Sequence, residues 1–161
     1  LLEWVVKKYD IRIVLFPHSV GSDEFAVHDI LSRMSKMVRE LVQIVVPSNV
    51  MDSLRIINSC DLLITSRMHA GIVGLAYGKP SIFFMPKDDT KVRDVLSHLG
   101  LDEGSFLVDA FNPSEYEKLR VVTRRVLENL SQETNMVSHA VNKRIWEVEL
   151  PVRVLQRLLG L

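Results

Sequence analysis

Arg67 and His69 stand two residues apart in the stretch Ile64-Thr65-Ser66-Arg67-Met68-His69-Ala70, after a short apolar run and before a run of good helix formers. Arginine presents a planar fork that matches carboxylate or phosphate. Histidine is the side-chain type that exchanges protons near neutral pH. Ser66 adds a hydroxyl that can cap a helix or donate to an oxygen. A helix start contributes unpaired backbone N–H groups and the positive end of the helix dipole, which favour an anion by about 0.3–1 kcal/mol. Together these groups suit a small, multiply charged anion. A surface arginine, a capping serine and a packed histidine would give the same letters, and spacing alone leaves both readings open. Placement at the carboxyl end of a strand, where ligands bind in parallel α/β sheets, favours the first.

Two further segments carry polar groups after apolar runs. His18 and Ser19 follow Ile11–Phe16 in Pro17-His18-Ser19, and Lys91 lies in Asp88-Asp89-Thr90-Lys91. Taken singly, these are a turn histidine and a solvated helix-start lysine. His28, His98 and His139 fall in helical stretches and are expected to be exposed or packed. The histidines show no H-x-x-x-H spacing, and Asp23, Asp29, Asp88 and Asp89 form no pair that sequence establishes, so no metal is expected. Asp23-Glu24 and Asp88-Asp89 read as helix-start charges. Gly71 and Gly74 lie inside a helix and do not form G-x-G-x-x-G, which disfavours a nicotinamide cofactor; no cofactor is expected. These glycines instead let the helix approach a sheet closely.

The elements that must position these groups alternate. Leu1–Tyr9 reads as a helix and Ile11–Phe16 as a strand. A helix follows from Ser22 or Asp23, either one its N-cap, to about Glu40. Leu41–Val46 is a strand stopped by Pro47, and Asn49–Ser59 a helix with Met51, Leu54, Ile57 and also Ile56 expected inward. Leu62–Ile64 is an apolar run without alternation, as in a strand buried on both faces. Met68–Tyr77 is a helix stopped by Gly78 and Lys79-Pro80. Ser81–Phe84 is a strand, Asp88–Leu99 a helix ended by Gly100, and Phe106–Val108 a last strand. Asn112-Pro113-Ser114-Glu115 opens a helix whose apolar face runs from Leu119 through Leu130.

Five strands alternating with helices predict an α/β fold. Residues 1–130 are expected to form a doubly wound, mostly parallel five-stranded sheet flanked by helices. Right-handed crossovers would place the turns after all five strands on one edge, gathering His18, Ser66–His69 and Met85–Lys91. From Ser131 the pattern is helical only. Pro151 is expected to break that helix, and Val152, Leu155, Leu158 and Leu159 mark another apolar face. Residues 131–161 therefore read as a C-terminal helical extension, packed either on something outside the domain or over the sheet.

Composition bounds the partners. Apolar residues make up 47% of the 161 and charged residues 25%, enough for a core and unlike a disordered chain. Lysine plus arginine equals aspartate plus glutamate at 20 each, which argues against a nucleic-acid partner. The single cysteine, Cys60, excludes an intrachain disulfide and a cysteine-based zinc site. No apolar run reaches the ~18 residues of a membrane span. The first residues, Leu-Leu-Glu-Trp-Val-Val-Lys-Lys, do not have the order of a signal peptide. A soluble, cytoplasmic setting is expected. A start without Met or helix cap suggests that the chain begins mid-protein.

The stretch Ile64-Thr-Ser-Arg-Met-His-Ala-Gly-Ile-Val-Gly-Leu-Ala-Tyr-Gly-Lys-Pro-Ser-Ile-Phe-Phe84 resembles the signature of polysaccharide pyruvyl transferases, in which S/T-x-R-L/M-H-A leads into a small-residue helix, G-x-P and a strand. Leu15-Phe-Pro-His-Ser19 with Asp23-Glu24, and Asp88-Asp-Thr-Lys-Val92 followed by Leu96-Ser-His-Leu-Gly-Leu101, resemble further segments of that family. The likeness covers about Ile11–Leu101, more weakly Phe106–Leu130, and not the tail after Ser131. Met68 stands where leucine is commoner, and Gly71 where a larger residue is. The resemblance implies a Rossmann-like half of a two-domain, GT-B-type enzyme, here the C-terminal half, with an N-terminal Rossmann-like half as its partner. It implies transfer of pyruvate from phosphoenolpyruvate to a sugar of a cell-surface polysaccharide, forming a ketal. Arg67 and the helix start would then hold carboxylate or phosphate, and His69 would protonate the methylene carbon. His18 would hold phosphate or carry a second proton, Lys91 would neutralise phosphate, and Ser66 and Ser19 would join the substrate-binding set. A GT-B-type half binding a nucleotide sugar, or a half that only binds an anion, remains open on the residues alone.

Overall fold

The computed structural model describes residues 1–17, 23–86 and 88–159, with side chains through residue 145. The chain divides into two compact units, Leu1–Ile56 and Ile57–Leu161. It is α/β, with short parallel strands flanked by helices, as the alternating pattern predicts. The five strands do not form one ladder among the described residues: β1 (Ile13–Leu15) pairs with β2 (Val42–Ile44), and β3 (Leu63–Thr65), β4 (Ser81–Met85) and β5 (Leu107–Asp109) form a separate three-stranded sheet. None of the described helices is long and apolar enough to cross a membrane.

In the first unit, α1 (Leu2–Lys8) precedes β1 and α2 (Asp23–Ser32) follows it. Ile13, Val14 and Leu15 pair in register with Val42, Gln43 and Ile44, and Val45 N–H extends the ladder to the Leu15 carbonyl at 3.0 Å. Val27, Leu31, Met34 and Val38 form the core, with Leu2, Val6, Leu15 and Val42 packed against it. The single helix expected from Asp23 to Glu40 is instead two, α2 and α3 (Lys36–Arg39). Ser35 supplies the reason: its backbone is extended, at φ −61° and ψ 152°, and its N–H donates to Glu3 Oε1 on α1 at 2.7 Å. That hydrogen bond replaces an intrahelical one and starts a new helix. In α4 (Val50–Ser59) Ile57 is buried as expected, whereas Met51 remains exposed. At about 100° per residue the two sit well apart around the helix, so one burial does not entail the other.

In the second unit β4 lies between β3 and β5, all parallel. Its burial on both faces explains its unbroken apolar sequence. Alternate residues face opposite sides. Phe83 and Met85 join a core with Leu75, Val92, Leu96, Leu101, Phe106, Leu107 and Val137. Phe84 faces the other way and meets Tyr116 edge-on at 6.0 Å between ring centroids. The first side is covered by α5 (Met68–Ala76), α6 (Thr90–Leu99) and the start of α9 (Leu130–Leu159), the second by α8 (Tyr116–Glu128). A short helix, α7 (Glu103–Phe106), precedes β5, and a 3-10 turn, Pro113–Glu115, precedes α8.

Helix α5 ends as its sequence predicts. Gly78 adopts φ +72°, where a side chain is strained, and Lys79 N–H closes back on the Gly74 carbonyl at 2.9 Å. Helix α9 departs from expectation: it runs through Pro151 as one element to Leu159. A proline inside a helix removes one backbone hydrogen bond and crowds the preceding turn, at a cost of about 3 kcal/mol, without obliging the helix to end. Val137 of α9 is fully buried in the core shared with Phe83.

Candidate functional site

The carboxyl ends of β3, β4 and β5 point the same way because the strands are parallel. Thr65 pairs with Phe83, so β4 continues past the end of β3 to Met85, and Asp109 pairs with Met85. Three connections therefore leave one edge: Ser66 and Arg67 into α5, Pro86, Asp88 and Asp89 toward α6, and Ala110, Phe111 and Asn112 toward α8. Ser66–His69, following β3, and Lys91, in the first turn of α6 after β4, thus lie at the same edge of the sheet. His18 and Ser19 lie outside the described residues.

The turn after β3 is shaped by Thr65, whose residue type alone gives no sign of that role. Thr65 Oγ1 accepts the Arg67 N–H at 2.9 Å and donates to the Arg67 carbonyl at 3.3 Å. Ser66, expected as a possible cap, is not the cap residue. Arg67 occupies that position, extended at φ −110° and ψ 114°, and no side chain caps the helix. The first helical bond runs from Gly71 N–H to the Arg67 carbonyl at 3.2 Å. The N–H groups of Met68, His69 and Ala70 precede it, facing the region where an anion is favoured. Ser66, Arg67 and His69 are all exposed.

Helix α6 starts differently on the same edge. Asp89 Oδ1 accepts from Lys91 N–H at 3.1 Å and Val92 N–H at 3.3 Å, as a helix-start aspartate should. Its N-terminus is already satisfied by a carboxylate, whereas that of α5 is not. Lys91 is exposed in the first turn of α6, where the dipole disfavours a cation. A lysine there gains more from an external anion than from its own helix.

The small residues of α5 explain how the helix is held. A Cβ on Gly71 would overlap the Phe83 ring, and one on Gly74 would overlap Ser81 Oγ and come to 3.1 Å from Leu63 Cδ2. Close approach to β3 and β4 anchors the helix that carries Arg67 and His69, as the glycine spacing predicts.

A cleft of about 510 Å³ opens one strand over, lined by Pro86, Asp88, Arg93, Asp109 and Phe111. Arg67, His69 and Lys91 are not in its lining. Arg93 Nε meets Glu103 Oε2 at 3.0 Å. Asp109 Oδ1 accepts from Phe111 N–H at 3.0 Å, and the Phe111 side chain is 80% exposed. Arg93, Asp109 and Phe111 were not singled out from sequence; the one signal available was the position of Asp109 at the end of the last strand. Among the described residues no three His, Cys, Asp or Glu side chains gather as a metal site.

A family model described as polysaccharide pyruvyl transferase matches residues 1–88, just over half of the chain. The matched part includes Arg67 and His69 and stops short of Lys91. No curated relative and no solved structure matches the chain.

Proposed function

The chain belongs to the polysaccharide pyruvyl transferase family, and from that premise we propose that it holds the donor side of a reaction moving pyruvate from phosphoenolpyruvate to a sugar of a cell-surface polysaccharide. The observation that carries the reading is the uncapped start of α5, with Arg67 and His69 exposed at the carboxyl end of β3. Phosphoenolpyruvate carries a carboxylate beside a phosphate. Arg67 and the N–H groups of Met68, His69 and Ala70 suit one of these anions, and Lys91 in the first turn of α6 suits the other. His69 donates a proton to the methylene carbon, a role worth about 10²–10⁴ in rate. The neighbouring carbon becomes oxocarbenium-like, and one sugar hydroxyl adds to it and loses its proton. Phosphate then departs, a second hydroxyl adds at the same carbon with loss of its proton, and the ketal forms.

The family resemblance gives His18 and Ser19 a phosphate-binding role, with His18 able to carry the second proton; both lie outside the described residues. An N-terminal Rossmann-like half would complete the cleft in the manner of GT-B enzymes. Arg67→Ala and His69→Ala in the full-length enzyme test the assignment. Each should sharply reduce transfer while leaving the circular dichroism spectrum and unfolding midpoint intact. Unchanged turnover in either variant overturns it. Binding of a nucleoside diphosphate sugar, with none of phosphoenolpyruvate, would instead move the assignment to a GT-B-type glycosyltransferase.

A further inference from the structure

We propose that the cleft at the carboxyl ends of β4 and β5 seats the neutral sugar acceptor, with Phe111 as the surface on which the sugar ring stacks and Asp88 and Asp109 as acceptors for its hydroxyls. The occupant's identity as an acceptor rests on the pyruvyl-transfer reading; the chemistry of the cleft does not. The cleft is shallow and broadly open to solvent, a surface on which a sugar can lie rather than a pocket that encloses one.

Its charge separates it from the donor site. Asp88 and Asp109 are both carboxylates in its lining, and the one described cation, Arg93, is held by Glu103 at 3.0 Å. A polyanionic donor meets like charge here, whereas a neutral polyol meets acceptors matched to its hydroxyl donors. Phe111 supplies the other half of sugar recognition. A large apolar side chain with 80% of its surface exposed adds nothing to the core. Its backbone is fixed nonetheless: Phe111 N–H donates to Asp109 Oδ1 at 3.0 Å, and Ala110 N–H donates to the Met85 carbonyl at 3.1 Å. An exposed aromatic face on a hydrogen-bonded backbone, beside two carboxylates, offers a flat apolar contact and directional acceptors together. The start of α5 lies on the same sheet edge, so donor and acceptor occupy neighbouring positions without sharing charged groups.

The test uses the 161-residue chain and saturation-transfer NMR with the methyl glycosides of glucose, galactose and mannose. At least one should receive saturation at its ring protons. In Phe111→Ala its affinity should weaken about ten-fold, the scale of one lost aromatic contact; Phe111→Tyr should retain it, and Asp109→Asn should weaken it. Arg67→Ala should bind the glycoside as wild type does. Absence of saturation transfer to all three glycosides, or binding that survives Phe111→Ala unchanged, overturns the proposal. The donor assignment is read separately, from phosphoenolpyruvate titrations of the same variants. Loss of phosphoenolpyruvate binding in Phe111→Ala would overturn the separation of the two sites, whereas failure of phosphoenolpyruvate to bind wild type would count against the donor reading alone.

Discussion

Gly71 on α5 sits over the Phe83 ring on β4 so closely that a single added Cβ would overlap it. Phe83 is fully buried and cannot yield without disturbing the core around it. Gly71→Ala is therefore expected to destabilise the chain by about 1–3 kcal/mol, the usual cost of overpacking, despite alanine's better helix propensity. Urea unfolding measures this directly. A more stable Gly71→Ala protein would show that α5 is free to move off the sheet.

Loss of His69 should be a kinetic lesion and loss of Arg67 a binding one. Transfer by His69→Ala is expected to fall about 10²–10⁴-fold with little change in the KM for phosphoenolpyruvate. Arg67→Ala should raise that KM, and Arg67→Lys should restore it only in part because the planar fork is gone. Steady-state kinetics of the full-length enzyme separate the two. Equal effects on kcat and KM in both variants would contradict the division of roles.

Glu133 at the start of α9 pairs with Arg125 of α8 at 3.0 Å, and Glu133 is 8% exposed. Arg125 also reaches the Ser105 carbonyl at 3.1 Å and lies over the Phe106 ring. Glu133→Ala should cost about 1–3 kcal/mol, less than for a fully buried pair because Arg125 retains solvent access. Thermal melts of Glu133→Ala and Arg125→Met, together with the double variant, would report the coupling. Simple additivity would show that the pair does not act as a unit.

Burial pushes the Cys60 thiol above the ordinary cysteine range. The folded protein thus favours the protonated thiol. The associated stability is fully present below the unfolded thiol's pKa and is lost as pH rises through the higher folded value. Alkylation by iodoacetamide at pH 8 should be slower in the folded chain than in urea-unfolded chain. Equal rates would mean that the thiol is open to solvent.

Glu3 is shifted the other way, held below the usual carboxylate range chiefly by the hydrogen bond from Ser35 N–H and also by Lys7. Its contribution is present above the unfolded carboxylate's pKa and is lost as pH falls through the lower folded value. Glu3→Gln should lower the unfolding midpoint at pH 7, with the difference from wild type shrinking through the acidic range. Trp4 fluorescence provides the readout beside it. A difference that stays constant with pH would assign the effect to packing.

Much of this was legible in the chain, for identifiable reasons. Apolar runs, Gly78, Gly100 and Asp89 fix where strands and helices begin and end, because each obeys a local rule. Gly71 and Gly74 announced a close helix–sheet contact. The break at Ser35 was hidden, since it depends on Glu3, distant in sequence. Pro151 misled, because a proline weakens a helix without always ending it. At the site, Arg67 and His69 stood out through residue type and position. Thr65 did not, since a threonine at a strand end looks like any β-branched residue. Asp109 and Phe111 share a cleft with Asp88 only once β5 lies beside β4, a pairing that no local pattern reveals.

Val137 lies in the same buried cluster as Phe83, and α5 packs on α9. During synthesis, the strand carrying Phe83 emerges well before the helix that covers it. The core beneath Arg67 and His69 stays open until the first turns of α9 have left the ribosome, and closing so distant a contact is slow. The N-terminal end of α5 is thus among the last parts of the unit to acquire its final position, although α5 is translated well before α9.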